Sequence, residues 1–278
     1  MAELYHYTNG AGLLGMLKNY SADNPNLTMW ATHYMYMNDP KEYIYGQELC
    51  LNIIDEIEEE LGINENDRIK KIVNSDHYQS AFKHISRQIT AHIPYLISLS
   101  QAEDSLHMWN MYAVNGNGIA IGFNDGKLRE YFNLKNCIYY RDKEYDKNLY
   151  DEIKKEISEH YTNFNNKNKG KTRIQQAAFI STLICFVFGI RIKHIAYAIE
   201  QEVRITPLAV DQVMFRDKNG VIIPYIETSL PFDCIENILV GPTADFNRVQ
   251  ESILLLLHKK GIKWEEEKII KSQVPYRG

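Results

Sequence analysis

Apolar and polar positions alternate along the chain in a way that sorts it into short strands and amphipathic helices. Leu4–Thr8 reads as a first strand, Ala11–Leu17 as a short helix and Leu27–Thr32 as a second strand. Apolar residues at Cys50, Ile53, Ile54, Ile57 and Leu61 share one helical face. Ahead of them stands Asn38-Asp39-Pro40-Lys41-Glu42, with Asp39 placed as N-cap, Pro40 as first helical residue and Glu42 as the reciprocal acid of a capping box. Arg68–Val73 and Tyr78–His92 read as helices, with Gly62 and Pro94 as stops.

Strands follow at Tyr95–Ser100 and Ile119–Phe123 around a short helix, Ser105–Val114. A strand at Cys137–Tyr140 leads into an amphipathic helix, Lys147–Tyr161. Thr162–Arg173 is polar and basic and predicts an exposed loop. Ala177–Ile190 predicts a buried helix, because its roughly 14 residues fall short of the ~20 that span a bilayer. Strands at Glu202–Val210, Val221–Thr228 and Asn237–Val240, a helix at Asn247–Lys260 and a strand near Ile262–Ile270 complete the pattern. Helices and strands mix without strict alternation, so the expected class is α+β, with a central mixed or antiparallel sheet system. No linker interrupts it. The expectation is a single domain over residues 1–278 with a helical insertion at about 40–93.

Composition narrows the function. The 278 residues are 45% hydrophobic, enough for an ordinary core, and 31 Lys+Arg against 36 Asp+Glu give a net charge of −5. That balance argues against a protein that coats nucleic acid, although Lys167–Arg173 is locally basic. Cys50, Cys137, Cys185 and Cys234 lie at neither metal nor redox spacing, and the N-terminus has no basic or apolar leader pattern. A cytoplasmic protein with reduced thiols and no membrane segment is expected. Tyrosine is in excess, 19 against 10 Phe and 3 Trp, which suggests half-buried surfaces with polar edges.

No P-loop, zinc-finger, HExxH or nucleophile-elbow pattern occurs. Gly116-Asn117-Gly118 precedes a strand, so it reads as a turn and not as a dinucleotide fingerprint. His6, His33 and His107 with Asp39 lack ligand spacing, and no metal is expected. Three segments carry the candidate chemistry. In Leu4-Tyr5-His6-Tyr7-Thr8, alternation sets Tyr5 and Tyr7 on one face and His6 with Thr8 on the other. In Ser98-Leu99-Ser100 two hydroxyls share a side. In Glu200-Gln201-Glu202-Val203-Arg204 two carboxylates project together if both are extended, and a structural pairing with Arg204 is the bland alternative. Trp30, Tyr34, Tyr36, Trp109 and Tyr112 supply aromatic anchors, of which Trp109 and Tyr112, with Met108, are expected mainly in the core.

In order along the chain, Leu4-Tyr5-His6-Tyr7-Thr8, Asn38-Asp39-Pro40 with Glu42, Ser98-Leu99-Ser100, Met108-Trp109 with Tyr112, Glu200-Gln201-Glu202-Val203-Arg204 and Ser272 with Pro275-Tyr276-Arg277 resemble a bacterial family of unknown function, many of whose members look like toxins or phage-defence proteins. Val203 departs from it, standing where that family usually has tryptophan. The order of His6, Ser98/Ser100 and Glu200/Glu202 is also similar to that of ADP-ribosyltransferase toxins. That second resemblance implies an ADP-ribosyltransferase-like fold and cleavage of NAD as substrate. Glu202 would be the transition-state stabiliser and Glu200 would orient the acceptor. His6, Tyr5, Thr8, Ser98, Ser100, Tyr36 and Tyr112 would hold the dinucleotide. It further implies a macromolecular acceptor, protein or nucleic acid, whose identity the sequence leaves open, as it leaves open a regulatory partner protein. The alternative is a non-enzymatic nucleotide-sensing or protein-interaction domain with a tyrosine-rich cleft.

Overall fold

The structure, a computed structural model, describes residues 3–37, 40–76, 78, 95–167, 170–207, 212–218 and 220–276. The expected cap at Asn38-Asp39 and helix at Tyr78–His92 lie outside or almost wholly outside those residues. The strands are β1 (Leu4–Thr8), β2 (Asn26–His33), β3 (Tyr95–Ser100), β4 (Ile119–Phe123), β5 (Leu134–Asn136) and β6 (Ile138–Tyr140). They continue with β7 (Ile192–His194), β8 (Glu202–Ile205), β9 (Met214–Lys218), β10 (Val221–Pro231), β11 (Ile235–Val240) and β12 (Ile269–Lys271). The class is mixed, with helices set among a mixed sheet.

Two compact units emerge. The first joins Met1–Thr32, Tyr95–Asn136 and Ile199–Gly278, and the second joins His33–Pro94 and Cys137–Ala198. The helical segment expected as an insertion at about 40–93 therefore shares its unit with the helices Lys147–Lys167 and Arg173–Val187. Its apolar face explains why: Cys50, Ile53, Ile54 and Ile57 pack in one cluster with Ile153, Ile157, Ile180 and Ile184. Each such side chain contributes ~1.5–3 kcal/mol when fully buried. A buried carboxylate ties this unit together, since Glu58 accepts from Ile69 N at 2.6 Å and Tyr161 Oη at 2.8 Å and pairs with Arg173.

Thr162–Arg173 is shorter as a loop than expected. The helix before it continues to Lys167, carried by Tyr161 and Phe164 on its apolar side. Thr172 then caps the next helix, and Gln175 completes a capping box. That helix with its following turn, Arg173–Arg191, is by length and composition long enough to cross a membrane, longer than the apolar core alone suggests. Ala177, Ile180, Ile184 and Phe188 bury one side of it in the second unit's core.

The first unit is built on a ten-stranded sheet in the order β12-β11-β4-β1-β3-β2-β10-β9, with β8 pairing β3 and β5 off that path. Only β11–β12 is parallel among the described pairings of this sheet. Leu4, Ile97, Leu99, Val203, Leu27, Met29, Ala31 and Ile226 lie on the side that meets the main core. Tyr5 and Tyr7 point to the other side, into a smaller cluster with Met108, Trp109, Ala120 and Leu239. The Gly116–Gly118 run is indeed a turn before β4, with Gly116 at φ 83°. A Cβ on Gly241 would stand 2.2 Å from Gly116 O, so the two segments meet backbone to backbone there.

Candidate functional site

Register decides which candidate residues meet. Tyr5 is opposite Ser100 across β1–β3, while Ser98 faces Arg204 and Ser100 faces Glu202 across β3–β8. Tyr5, Tyr7, Ser98, Ser100, Glu202 and Arg204 therefore share one sheet face. His6 and Thr8 lie on the opposite one. His6 Nδ1 sits 3.2 Å from the Ser98 carbonyl, and burial pulls its pKa below the ordinary histidine value. Thr8 is wedged against the start of helix Gly10–Met16, where a Cβ on Gly12 would meet Thr8 Oγ1 at 2.1 Å. Tyr36 belongs to the second unit, exposed in a short turn with its ring 5.6 Å from that of His33.

The two tyrosines of β1 are core residues. Tyr5 is buried, and Tyr7 lies edge-on to Trp109 at 4.9 Å. Burial pushes the Tyr7 hydroxyl up to about 12, and that hydroxyl donates to Ala102 O at 2.7 Å. Burial also raises Tyr5, followed by its hydrogen bond with Glu103. Neither ring offers a free stacking face.

Glu200 and Glu202 do not project together. Glu200 ends the 3-10 helix Ile195–Glu200, and Gln201 takes φ 44° before β8 begins. Glu202 makes a bidentate pair with Arg204 at 2.8 and 2.9 Å, both side chains almost wholly buried. The sequence pattern suggests such a pair at an exposed strand end, whereas here it is interior. Glu200 accepts the Tyr112 hydroxyl at 2.8 Å, and His107 Nε2 stands 3.7 Å from the same carboxylate oxygen. Ser100 Oγ donates to Glu200 O at 2.6 Å and accepts from Ala102 N at 3.0 Å. Two buried polar atoms at this corner have no hydrogen-bond partner among the described residues, Ser98 Oγ and His107 Nε2. Orphans of that kind are uncommon in protein interiors.

Asp104 and His107 belong to this corner although sequence reasoning did not select them for it. Asp104, at φ 47°, accepts from Trp109 Nε1 at 2.7 Å, Ser272 Oγ at 2.5 Å and Gln273 N at 2.6 Å. It clasps the helix Leu106–Tyr112 to the C-terminal segment, giving a reason for the Met108-Trp109 and Ser272 motifs to occur in one chain. The acidic residue just before the Ser105 N-cap was the available signal.

A cleft among the described residues of the first unit does not coincide with this chemistry. About 380 Å³ in volume, it is lined by Tyr20, Phe232 and Trp264 with Lys127, Lys263 and Lys268, and by none of the candidate residues. Its charges are largely spent on each other, as in Lys127–Asp233 at 3.6 Å and Lys268–Glu265 at 3.3 Å. No cluster of metal-ligating side chains occurs among the described residues.

Over residues 108–205 the chain is similar to a family described as Protein of unknown function (DUF2971). The matched stretch contains Tyr112, Glu200, Glu202 and Arg204, and neither His6 nor the paired serines. No curated protein and no solved structure matches the chain.

Proposed function

We propose that the corner formed by Ser100, His107, Tyr112 and Glu200 is a reaction site for NAD, cleaving it by transfer of ADP-ribose or by hydrolysis. One observation carries the choice of place. The non-glycine residues with positive φ among the described residues are Asp104, Val114, Asn115 and Gln201, which bracket the helix Leu106–Tyr112 and the Glu200 corner. Each costs roughly 1–3 kcal/mol, and a β-branched valine there is a genuine outlier. Backbone strain of this kind clusters at active sites, ligand clamps and switch regions.

In this proposal the C1′–N bond of NAD breaks with its electron pair leaving on neutral nicotinamide. The ribose becomes oxocarbenium-like, and water or an acceptor adds at C1′ and releases a proton. Glu200 opposes the developing charge, Tyr112 orients that carboxylate, and His107 takes the proton. Glu202, already neutralised by Arg204, is a positioning residue, so the stabilising role passes to Glu200.

NAD turnover by wild type, Glu200→Gln and Glu202→Gln tests this. A preorganised group aimed at the transition state is worth ~10²–10³ in rate. Glu200→Gln should lose that much while NAD still binds. Undiminished turnover in folded Glu200→Gln, or no NAD binding by wild type, overturns the proposal. Glu200 is only 3% exposed, which favours a second reading, nucleotide binding without turnover. That reading predicts saturable NAD binding and no nicotinamide release.

A further inference from the structure

The side of β2, β10 and β9 turned away from the main core carries a cluster that the Glu200 corner does not use. Cross-strand register sets Trp30 beside Glu227, Thr32 beside Tyr225 and Arg216 beside Ile223. The Arg216 guanidinium lies over the Trp30 ring at 5.1 Å and the Tyr225 ring at 5.6 Å. Its Nη2 donates to Thr32 Oγ1 at 2.9 Å, and its buried Nε has no hydrogen-bond partner among the described residues. No described carboxylate lies within ion-pair distance of it. Glu227 is committed elsewhere, to Lys18 and to Trp30 Nε1 at 3.2 Å. Asp217, the next residue along the strand, alternates to the other face. Burial pulls the Arg216 pKa below its ordinary value, a sign that the charge is partly desolvated.

A half-buried guanidinium held flat on two rings, with an unused N–H donor and no counter-charge among the described residues, has the form of an anion receptor. Its planar fork matches a phosphate or carboxylate, and stacking restricts the side chain before the ligand arrives. The Thr32 hydroxyl, which accepts from Arg216, keeps its own proton to donate. Two neighbouring donors of this kind suit the several oxygens of a phosphate. One uncompensated cation on a chain of net charge −5 is too little to hold a nucleic-acid backbone, which needs many. We propose that Arg216, with Thr32, anchors a binding site for a single phosphate group of a small ligand on this face.

Isothermal titration calorimetry of the full chain at low salt, with inorganic phosphate, pyrophosphate, ADP and acetate as probes, tests the site. Saturable binding of at least one phosphate-bearing probe is expected, at least tenfold weaker in Arg216→Gln and several-fold weaker in Arg216→Lys. Thermal unfolding of each variant establishes that it is folded. Arg216→Lys keeps the charge and provides a second reading if Arg216→Gln does not fold. Folded Arg216→Gln should keep wild-type NAD turnover while losing phosphate binding, which separates this site from the NAD proposal. No saturable binding, equal binding by wild type and folded Arg216→Gln, or binding of acetate alone would each overturn the assignment.

Discussion

Removing one partner of the Glu202–Arg204 pair separates a structural glutamate from a catalytic one. The pair is bidentate at 2.8 and 2.9 Å, with side chains 6% and 4% exposed. Arg204→Met leaves the Glu202 carboxylate inside the sheet without its guanidinium. Breaking a buried pair this way costs about 3–5 kcal/mol, whereas replacing both members by apolar residues of similar volume is often neutral. At ~2–4 °C per kcal/mol for a chain of this size class, Arg204→Met should lower Tm by roughly 6–20 °C. Glu202→Leu combined with Arg204→Met should recover at least half of that loss. The assay is thermal and urea unfolding of the two variants beside wild type, followed by NAD turnover at a temperature where all are folded. The double variant should turn over NAD within about tenfold of wild type, as expected for a positioning pair and not for a transition-state stabiliser. Stability of Arg204→Met within about 1 kcal/mol of wild type would refute the energetics. A loss of ~10²–10³ in turnover by the folded double variant would return the stabilising role to Glu202.

Asp104→Ala strands the donors of Trp109, Ser272 and Gln273, at about 1–3 kcal/mol each if left buried and unpaired. Hydrogen exchange should show faster exchange over residues 272–276 before the rest of the first unit loosens. His33 is 3% exposed, and burial lowers its pKa from 6.5 to about 4. The unfolded chain then binds more protons between those values, so stability is complete above pH 6.5 and falls as the pH drops toward 4, by up to about 3 kcal/mol. His33→Asn retains an acceptor for Met35 N and should flatten that limb in urea titrations at several pH values. A Cβ on Gly46 would lie 2.1 Å from the Gly189 carbonyl oxygen, so Gly46→Ala must push the two backbones away from each other. A fall of several degrees in Tm is expected, and an unchanged midpoint would contradict the packing.

Helix and strand identities were largely legible because each depends on spacing within one segment. Cys50, Ile53, Ile54 and Ile57 are buried as their periodicity requires, and Tyr5 and Tyr7 face away from His6 as alternation requires. The site was less legible, for two physical reasons. A glutamine gives no warning that it will adopt φ 44°, so the turn that separates Glu200 from Glu202 had no sequence signal. Asp104 and Arg216 act through partners more than a hundred residues away, Ser272 and Thr32 respectively, which no local pattern records. Register is the sharper case. Shifting β1 against β3 by one residue would bring His6 to the face of Ser98, Ser100 and Glu202 and assemble the cleft that the motif order implied. The same shift would turn Leu4 out of the main core, where it packs with Ile97, Leu99 and Val203. Burial of Leu4 and its neighbours at ~1.5–3 kcal/mol per side chain outweighs any one polar contact His6 would gain. The hydrophobic face therefore sets the register, and with it the separation of His6 from the glutamates.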